Sequence, residues 1–316
     1  MKRSFILLVL GCAFVVADAQ QDPQFTQWMF DKLSFNPAAA GLNDMHCISM
    51  FYRDQWDGFD KDPKTALLNY EGYHDGVKGG LGLTLYQDVL GQETNFIFRG
   101  SYAYHVGLSN GDKFTAGIGV GLYNKSLGNK WVAIDDYLVD PVIPNNEMAA
   151  QTFDMSLGVM YKRADDFYAG LSMTHLTGAD FKDLNISMAR HLYFMGGYNF
   201  DLTGDLRLRT NLLAKSDFNA AAFDVNANLL YDNMLWAGVS FRPGDAVAPM
   251  VGGQYSWEGE NGRDRIPQKI MVGYSYDVTL SEIKNYSDGS HELFVTYCFN
   301  IISNPLLNRH ANPRFL

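Results

Sequence analysis

From about residue 44 onward, apolar residues alternate with small or polar ones at a period of two, in segments of roughly ten residues separated by turn signals. In Phe114–Tyr123, the residues Phe114, Ala116, Ile118, Val120 and Leu122 share one face, and Thr115, Gly117, Gly119, Gly121 and Tyr123 take the other. In Leu206–Lys215, one face carries Leu206, Leu208, Thr210, Leu212 and Ala214, whereas Arg207, Arg209, Asn211, Leu213 and Lys215 occupy the opposite one. Ribbons with one oily and one wet face are strands, not helices. The pattern recurs at 81–86, 96–106, 155–162, 167–174, 223–232, 235–242, 270–277 and 293–300, with less regular segments near 45–53, 64–74, 190–200 and 246–257. The sum is about 14 strands, and an even count is what a bacterial single-chain barrel uses. About ten residues at ~3.3 Å each, tilted near 45°, project to roughly 23 Å, close to the outer-membrane apolar band of about 25 Å. The expected fold is therefore all-β: a transmembrane antiparallel up-and-down barrel over 44–302.

The connections point the same way. Short turns fall at 75–78, 107–112, 163–166, 201–204, 232–233 and 258–266, most of them rich in Asp, Asn and Gly, and alternate with long connections at 125–150, 175–189 and 277–290. A barrel with its N-terminus in the periplasm sorts its loops in this manner, and closure removes the unpaired edges that lipid forbids. A soluble sandwich has no such reason. The 39 Tyr plus Phe residues (18 and 21), 30 Gly and only 10 Pro favour strands and tight turns. A formal charge of -10 without a Lys/Arg cluster argues against nucleic acid as a partner.

Ahead of the strands, Lys2 and Arg3 precede an apolar run, Phe5–Val16, and the small-x-small sequence Ala17-Asp18-Ala19, so residues 1–19 read as a signal peptide for export. A lipoprotein box at Val9-Leu10-Gly11-Cys12 is the rival, and Leu10 fits it poorly. In segment 20–43, Asp22-Pro23 looks like a helix start, Phe25, Met29 and Leu33 fall at i, i+4 and i+8, and Asn36-Pro37 is a stop. The expectation is a short helix in the lumen or across its inner mouth, against the alternative of a mobile periplasmic lead. Residues 303–316 read as a periplasmic tail. Cys47 and Cys298 sit on the first and last strands, which must be neighbours in a closed barrel, and both can face inward, so a closure disulfide is a candidate.

At Gln21–Gly41 (QDPQFTQWMFDKLSFNPAAAG) the chain resembles the opening motif of the PorP/SprF outer-membrane proteins of the type IX secretion and gliding machinery of Bacteroidetes-like bacteria. Further similar stretches are Tyr52–Trp56 with Gly58, Gly80–Gly91, Tyr168–Leu176, Arg190–Phe200, Gly273–Glu292 and the end Asn312–Leu316, with 130–146 the least similar. The resemblance implies an outer-membrane barrel that supports export or surface anchoring of partner proteins, often an adhesin with a C-terminal sorting domain, beside other secretion-machinery proteins. A passive porin or hydrophobic-solute channel is the alternative.

Nothing in the sequence proposes catalysis, a metal or a cofactor. Asp135, Asp136, Asp140 and Glu147 lack calcium-loop spacing. Gly117-Ile118-Gly119-Val120-Gly121 lies within a strand, so it makes a small inner face rather than a dinucleotide turn. His291-Glu292 are strand neighbours facing opposite sides. Candidate partner-binding residues are Arg53, Gln55 and Trp56 at the end of the first strand, and Trp131, Tyr137 and Tyr286 in long loops, since Arg and aromatic side chains are common interface anchors. Arg99, Arg207, Arg209, Lys215 and Asp224 are candidates to line the lumen.

Overall fold

The computed structural model describes residues 24–58, 60–130, 146–164, 166–178, 180–181, 183–184, 186–261 and 264–301. Segments 1–19 and 303–316, together with Trp131 and Tyr137, lie outside these residues. Strands β1 (His46–Asp54), β2 (Lys64–His74), β3 (Gly79–Leu90), β4 (Glu93–Gly107), β5 (Lys113–Leu127), β6 (Met148–Arg163), β7 (Phe167–Thr174), β8 (His191–Asp201), β9 (Leu206–Ser216), β10 (Ala221–Tyr231), β11 (Leu235–Arg242), β12 (Ala246–Asn261), β13 (Asp264–Thr279) and β14 (Ser290–Phe299) form one closed barrel. Every neighbouring pair is antiparallel, and the barrel shuts where β1 pairs with β14 in the register Cys47↔Cys298 to Arg53↔Glu292. A disulfide joins Cys47 to Cys298 across this seam.

The lipid-facing wall is the apolar parity of each strand. On β1, Ile48, Met50 and Tyr52 are exposed, while Cys47, Ser49, Phe51 and Arg53 are buried inside; on β14, Leu293 and Val295 point out, and Glu292, Phe294 and Thr296 point in. A one-residue slip would turn every one of these faces over, so burial of the interior fixes the register. The hairpin at 231–234 shows the local chemistry: Asp232 and Asn233 both adopt left-handed φ (49° and 51°), which the favoured two-residue turn requires and which Asn and Asp tolerate best after Gly.

The long connections 128–147, 175–190 and 280–289 share one end of the barrel. Sorting by loop length is looser than the sequence suggests, because that end also carries the tight connections 91–92, 217–220 and 243–245. Strand ladders also run further than their alternation: β6, β12 and β13 each span 16 residues, where outward polar side chains break the pattern beyond the apolar band.

Segment 24–45 lies inside the lumen, and the short helix expected there is absent. Two 3-10 turns, Trp28–Phe30 and Pro37–Ala39, stand in its place. The reason is local: the Asp31 carboxylate accepts from Ser34 N at 3.3 Å, and the Asn36 side chain accepts from Ala38 N at 2.9 Å. Such side-chain turns compete with helical hydrogen bonding. Asp31 is also drawn sideways by Asn69 of the wall, whose amide donates to it at 2.7 Å.

Candidate functional site

The hydrophobic core of the protein surrounds this internal segment. Phe25, Trp28, Met29, Leu33, Phe35 and Leu42 are all buried, against inward side chains that include Phe51, Tyr193, Met195, Leu213, Trp236, Met250 and Phe294. Phe25 meets Phe51 edge-on at 5.8 Å, Phe30 stacks on Phe294 at 4.7 Å, and Phe35 meets Tyr193 edge-on at 5.5 Å. Each fully buried large side chain is worth about 1.5–3 kcal/mol relative to exposure. The six together make a strongly held plug.

At the long-loop end an ionic clamp grips the plug. Glu292 accepts the backbone N–H groups of Thr26 and Gln27, both at 2.7 Å. Thr26 Oγ1 donates to Asp277 at 2.8 Å and accepts from Arg53 Nη1 and Arg242 Nη1, each at 2.9 Å. Arg53 in turn reaches Asp277 at 2.7 Å and Glu292 at 3.1 Å, and Arg242 pairs with Asp277, with Asp245 at 2.7 Å and with Asp224 at 3.5 Å. Buried pairs of this kind roughly break even against apolar replacements, yet losing one partner costs about 3–5 kcal/mol. The clamp therefore fixes position more than it adds stability.

Further down, small residues of plug and wall fit together. Ser172 Oγ and Thr115 Oγ1 donate to the carbonyls of Phe35 and Ala38, both at 2.6 Å, and Arg99 Nη1 donates to Ser34 O at 3.2 Å. Asn36 donates to Val159 O at 3.1 Å. Wall glycines make this approach possible. A Cβ on Gly80 would stand 1.8 Å from Ala40 O, one on Gly117 would stand 2.4 Å from Ala38 N, and one on Gly158 would stand 2.0 Å from Asn36 Oδ1. The glycine-rich inner face of β5 is thus the seat of the Pro37–Ala40 stretch.

Below the plug, at the short-turn end, the lumen opens into a vestibule of about 650 Å³, within the 300–1,000 Å³ range of ligand pockets. Its lining includes Lys32, Lys162, Arg207, Arg209 and Lys269, with Asp232 the carboxylate among them. Arg209 lies over the rings of Phe30 (5.5 Å) and Trp236 (5.8 Å), and its Nε donates to Asn228 at 2.6 Å. Among the described residues, no group of three or more His, Cys, Asp or Glu side chains can hold a metal.

The residues named from sequence distribute as follows. Arg53 is 1 % exposed and its guanidinium is spent inside the clamp, so it offers nothing to an external partner. Gln55 and Trp56 are half-buried at the long-loop rim, where Trp56 N donates to Ser290 Oγ at 3.0 Å. Tyr286 is 73 % exposed on the 280–289 loop. All five lumen candidates face inward, but three of them serve the plug: Arg99 holds Ser34, Lys215 donates to Gln24 at 2.9 Å, and Asp224 abuts the clamp. Arg207 pairs with Asp201 at the rim, at 2.6 Å.

Thr26, Arg242, Asp277 and Glu292 escape sequence reading because their meeting depends on register around the whole barrel. Inward parity of charged residues near the long-loop ends of β1, β11, β13 and β14 is the signal that groups them. Asp277, read from sequence as the last residue of its strand, lies two residues inside it, and Ser290, read as the edge of a loop, opens the final strand. Beside this end, Asp217 accepts the N–H groups of Asn219 and Ala220, which holds its carboxyl below the usual range.

Among solved structures, the chain is similar to the CymD monoaromatic hydrocarbon channel (11% identity, TM-score 0.45, 90% of this chain and 94% of that one). It is also similar to a Pseudomonas aeruginosa FadL homologue (12%, 0.44, 88% and 94%) and to the Pseudomonas putida toluene transporter TodX (12%, 0.47, 85% and 93%). No curated protein sequence matches. The family model described as "Type IX secretion system membrane protein PorP/SprF" matches residues 17–297.

Proposed function

Because the chain belongs to the PorP/SprF family of type IX secretion membrane proteins, we propose that this outer-membrane barrel is a non-enzymatic support for export or surface anchoring of partner proteins, and not a passive channel. The observation that carries the proposal is the filled lumen. Thr26 to Ala40 is bonded to the wall by side chains of β1, β4, β5, β7, β11, β13 and β14, which leaves its interior as core rather than conduit. We read a barrel whose lumen is filled in this way as one that acts through its faces. The long-loop face would take the exported adhesin, with Tyr286, Trp131 and Tyr137 as aromatic anchors and Gln55 and Trp56 at the rim. The short-turn face would meet periplasmic machinery.

Planar-bilayer recording tests the first half of this. The intact protein should stay closed, and a variant lacking residues 24–44 should conduct steadily. Steady conductance from the intact protein would favour a passive porin or hydrophobic-solute channel instead. Deletion of the gene tests the second half, with loss of a partner adhesin from the cell surface expected; unchanged display and motility would refute the role.

A further inference from the structure

The vestibule at the short-turn end is lined by more cationic side chains than carboxylates. Arg207 is paired with Asp201, and Lys32 and Lys162 share the field of Glu71. Arg209 has no carboxylate within ion-pair distance among the described residues, and its Nη2 is a buried donor without an acceptor. Its plane is nonetheless held in place, by Asn228 on Nε and by the rings of Phe30 and Trp236. A guanidinium fixed on three sides with one edge unspent is a fork for a carboxylate.

A second orphan lines the same cavity: Gln254 Oε1 is a buried acceptor without a donor, while its Nε2 is anchored on Asn233 O at 2.9 Å. A ligand that satisfies both sites carries an anionic oxygen and a hydrogen-bond donor. A lipid phosphodiester group has no donor of its own, and a single inorganic phosphate, although it carries an O–H, would leave most of a 650 Å³ space unfilled. An acidic peptide supplies both, from a side-chain carboxylate and from the backbone.

We propose that the short-turn vestibule is a docking site for an acidic, extended peptide segment, with Arg209 gripping a carboxylate and Gln254 accepting a backbone N–H. The proposal rests on the reading of this face as the one that meets periplasmic machinery, and it names the partner's chemistry: a carboxylate-rich strand or tail inserted into the mouth below the plug.

The test uses the full-length mature barrel in nanodiscs and a fluorescein-labelled tetraglutamate peptide with blocked ends, beside its tetraglutamine counterpart. Fluorescence anisotropy should show binding of the first and not the second, weakening with salt, and Trp236 emission should respond, since its ring lies against Arg209. Arg209→Gln should weaken binding at least tenfold, because hydrogen bonds to charged groups carry about 1.5–3 kcal/mol. Arg209→Lys, which keeps the charge but loses the fork, should fall between. Heat-modifiable gel mobility checks that each variant is folded, and if Arg209→Gln fails to fold, Arg209→Lys and the Trp236 response decide. Equal binding of the two peptides, unchanged affinity in folded Arg209→Gln, or full displacement by millimolar phosphate or by anionic-lipid vesicles would overturn the proposal. Adhesin display that requires the barrel, combined with no peptide binding, would sink the site alone. Peptide binding without any role in display would sink the secretion reading and leave the site standing.

Discussion

Replacing Arg53 by Ala should free the plug without opening the barrel wall. The Arg53 side chain is 2 % exposed and bridges Asp277 (2.7 Å) and Glu292 (3.1 Å), while also donating to Thr26 Oγ1 (2.9 Å). Asp277 keeps Arg242 as a partner, so the carboxylate left buried and uncompensated is that of Glu292. Removing one member of a buried pair costs about 3–5 kcal/mol. Glu292 is also the group that accepts the two plug N–H bonds, so the cost falls on plug docking. An opening equilibrium shifted by this amount rises roughly 150- to 5,000-fold. Lys32 lies within the plug and is a tryptic site shielded by the wall. In the regime where opening and reclosing are fast, cleavage after Lys32, followed by mass spectrometry, tracks the open population and should accelerate by that factor. The double variant Arg53→Met/Glu292→Gln should restore part of the protection, because it leaves no uncompensated carboxylate behind and keeps an amide oxygen to accept one of the two plug N–H groups. Wild-type protection in Arg53→Ala would show that the clamp does not hold the plug. Loss of heat-modifiable mobility in step with cleavage would show that plug and barrel unfold as one unit, and would refute a separable clamp.

Three further outcomes are expected. Gly80→Val and Gly117→Val should each displace the Pro37–Ala40 stretch, with about 1–3 kcal/mol of overpacking and faster cleavage after Lys32, whereas Gly76→Ala, with nothing within 4 Å of its Cβ, should be neutral. Maleimide labelling without reductant should find neither Cys47 nor Cys298 free. Substituting both with Ser should lower the heat-modification temperature, toward the low end of the 2–5 kcal/mol typical of native disulfides because strand pairing already joins the seam. Tyr286→Ala should reduce adhesin display while leaving thermal stability unchanged, since the side chain is exposed; unaltered display would remove it from the anchor set.

The barrel was legible because lipid imposes a rule on every strand. Positions such as Ile118, Val120 and Leu122 must be apolar, and their neighbours Gly117, Gly119 and Gly121 need not be, so period two survives in the sequence without knowledge of any contact. The plug obeys no such rule. Phe25, Met29 and Leu33 mimic a helical stripe, but a segment enclosed on all sides buries apolar residues in every direction, so spacing no longer reports a face. The clamp was illegible for a different reason. Arg53 and Glu292 are 239 residues apart and become neighbours only through closure, and Thr26 enters only once the plug is in place. Arg209 was visible as an inward cation; what distinguishes it, an aromatic bed and an unspent edge, comes from strands that sequence reading could align but not bring into contact.

The seam between β1 and β14 is fastened at both ends by different chemistry: covalent sulfur toward the short turns, and, toward the long loops, a carboxylate of the final strand that grasps backbone 265 and 266 residues earlier. Those earlier residues precede every strand of the barrel, and their partner lies on its last strand. Entropy lost in bringing such distant parts together is recovered only on arrival of β14. The folded barrel is therefore wrapped around its own leading segment, and the last strand is the one that both shuts the cylinder and latches that segment in place.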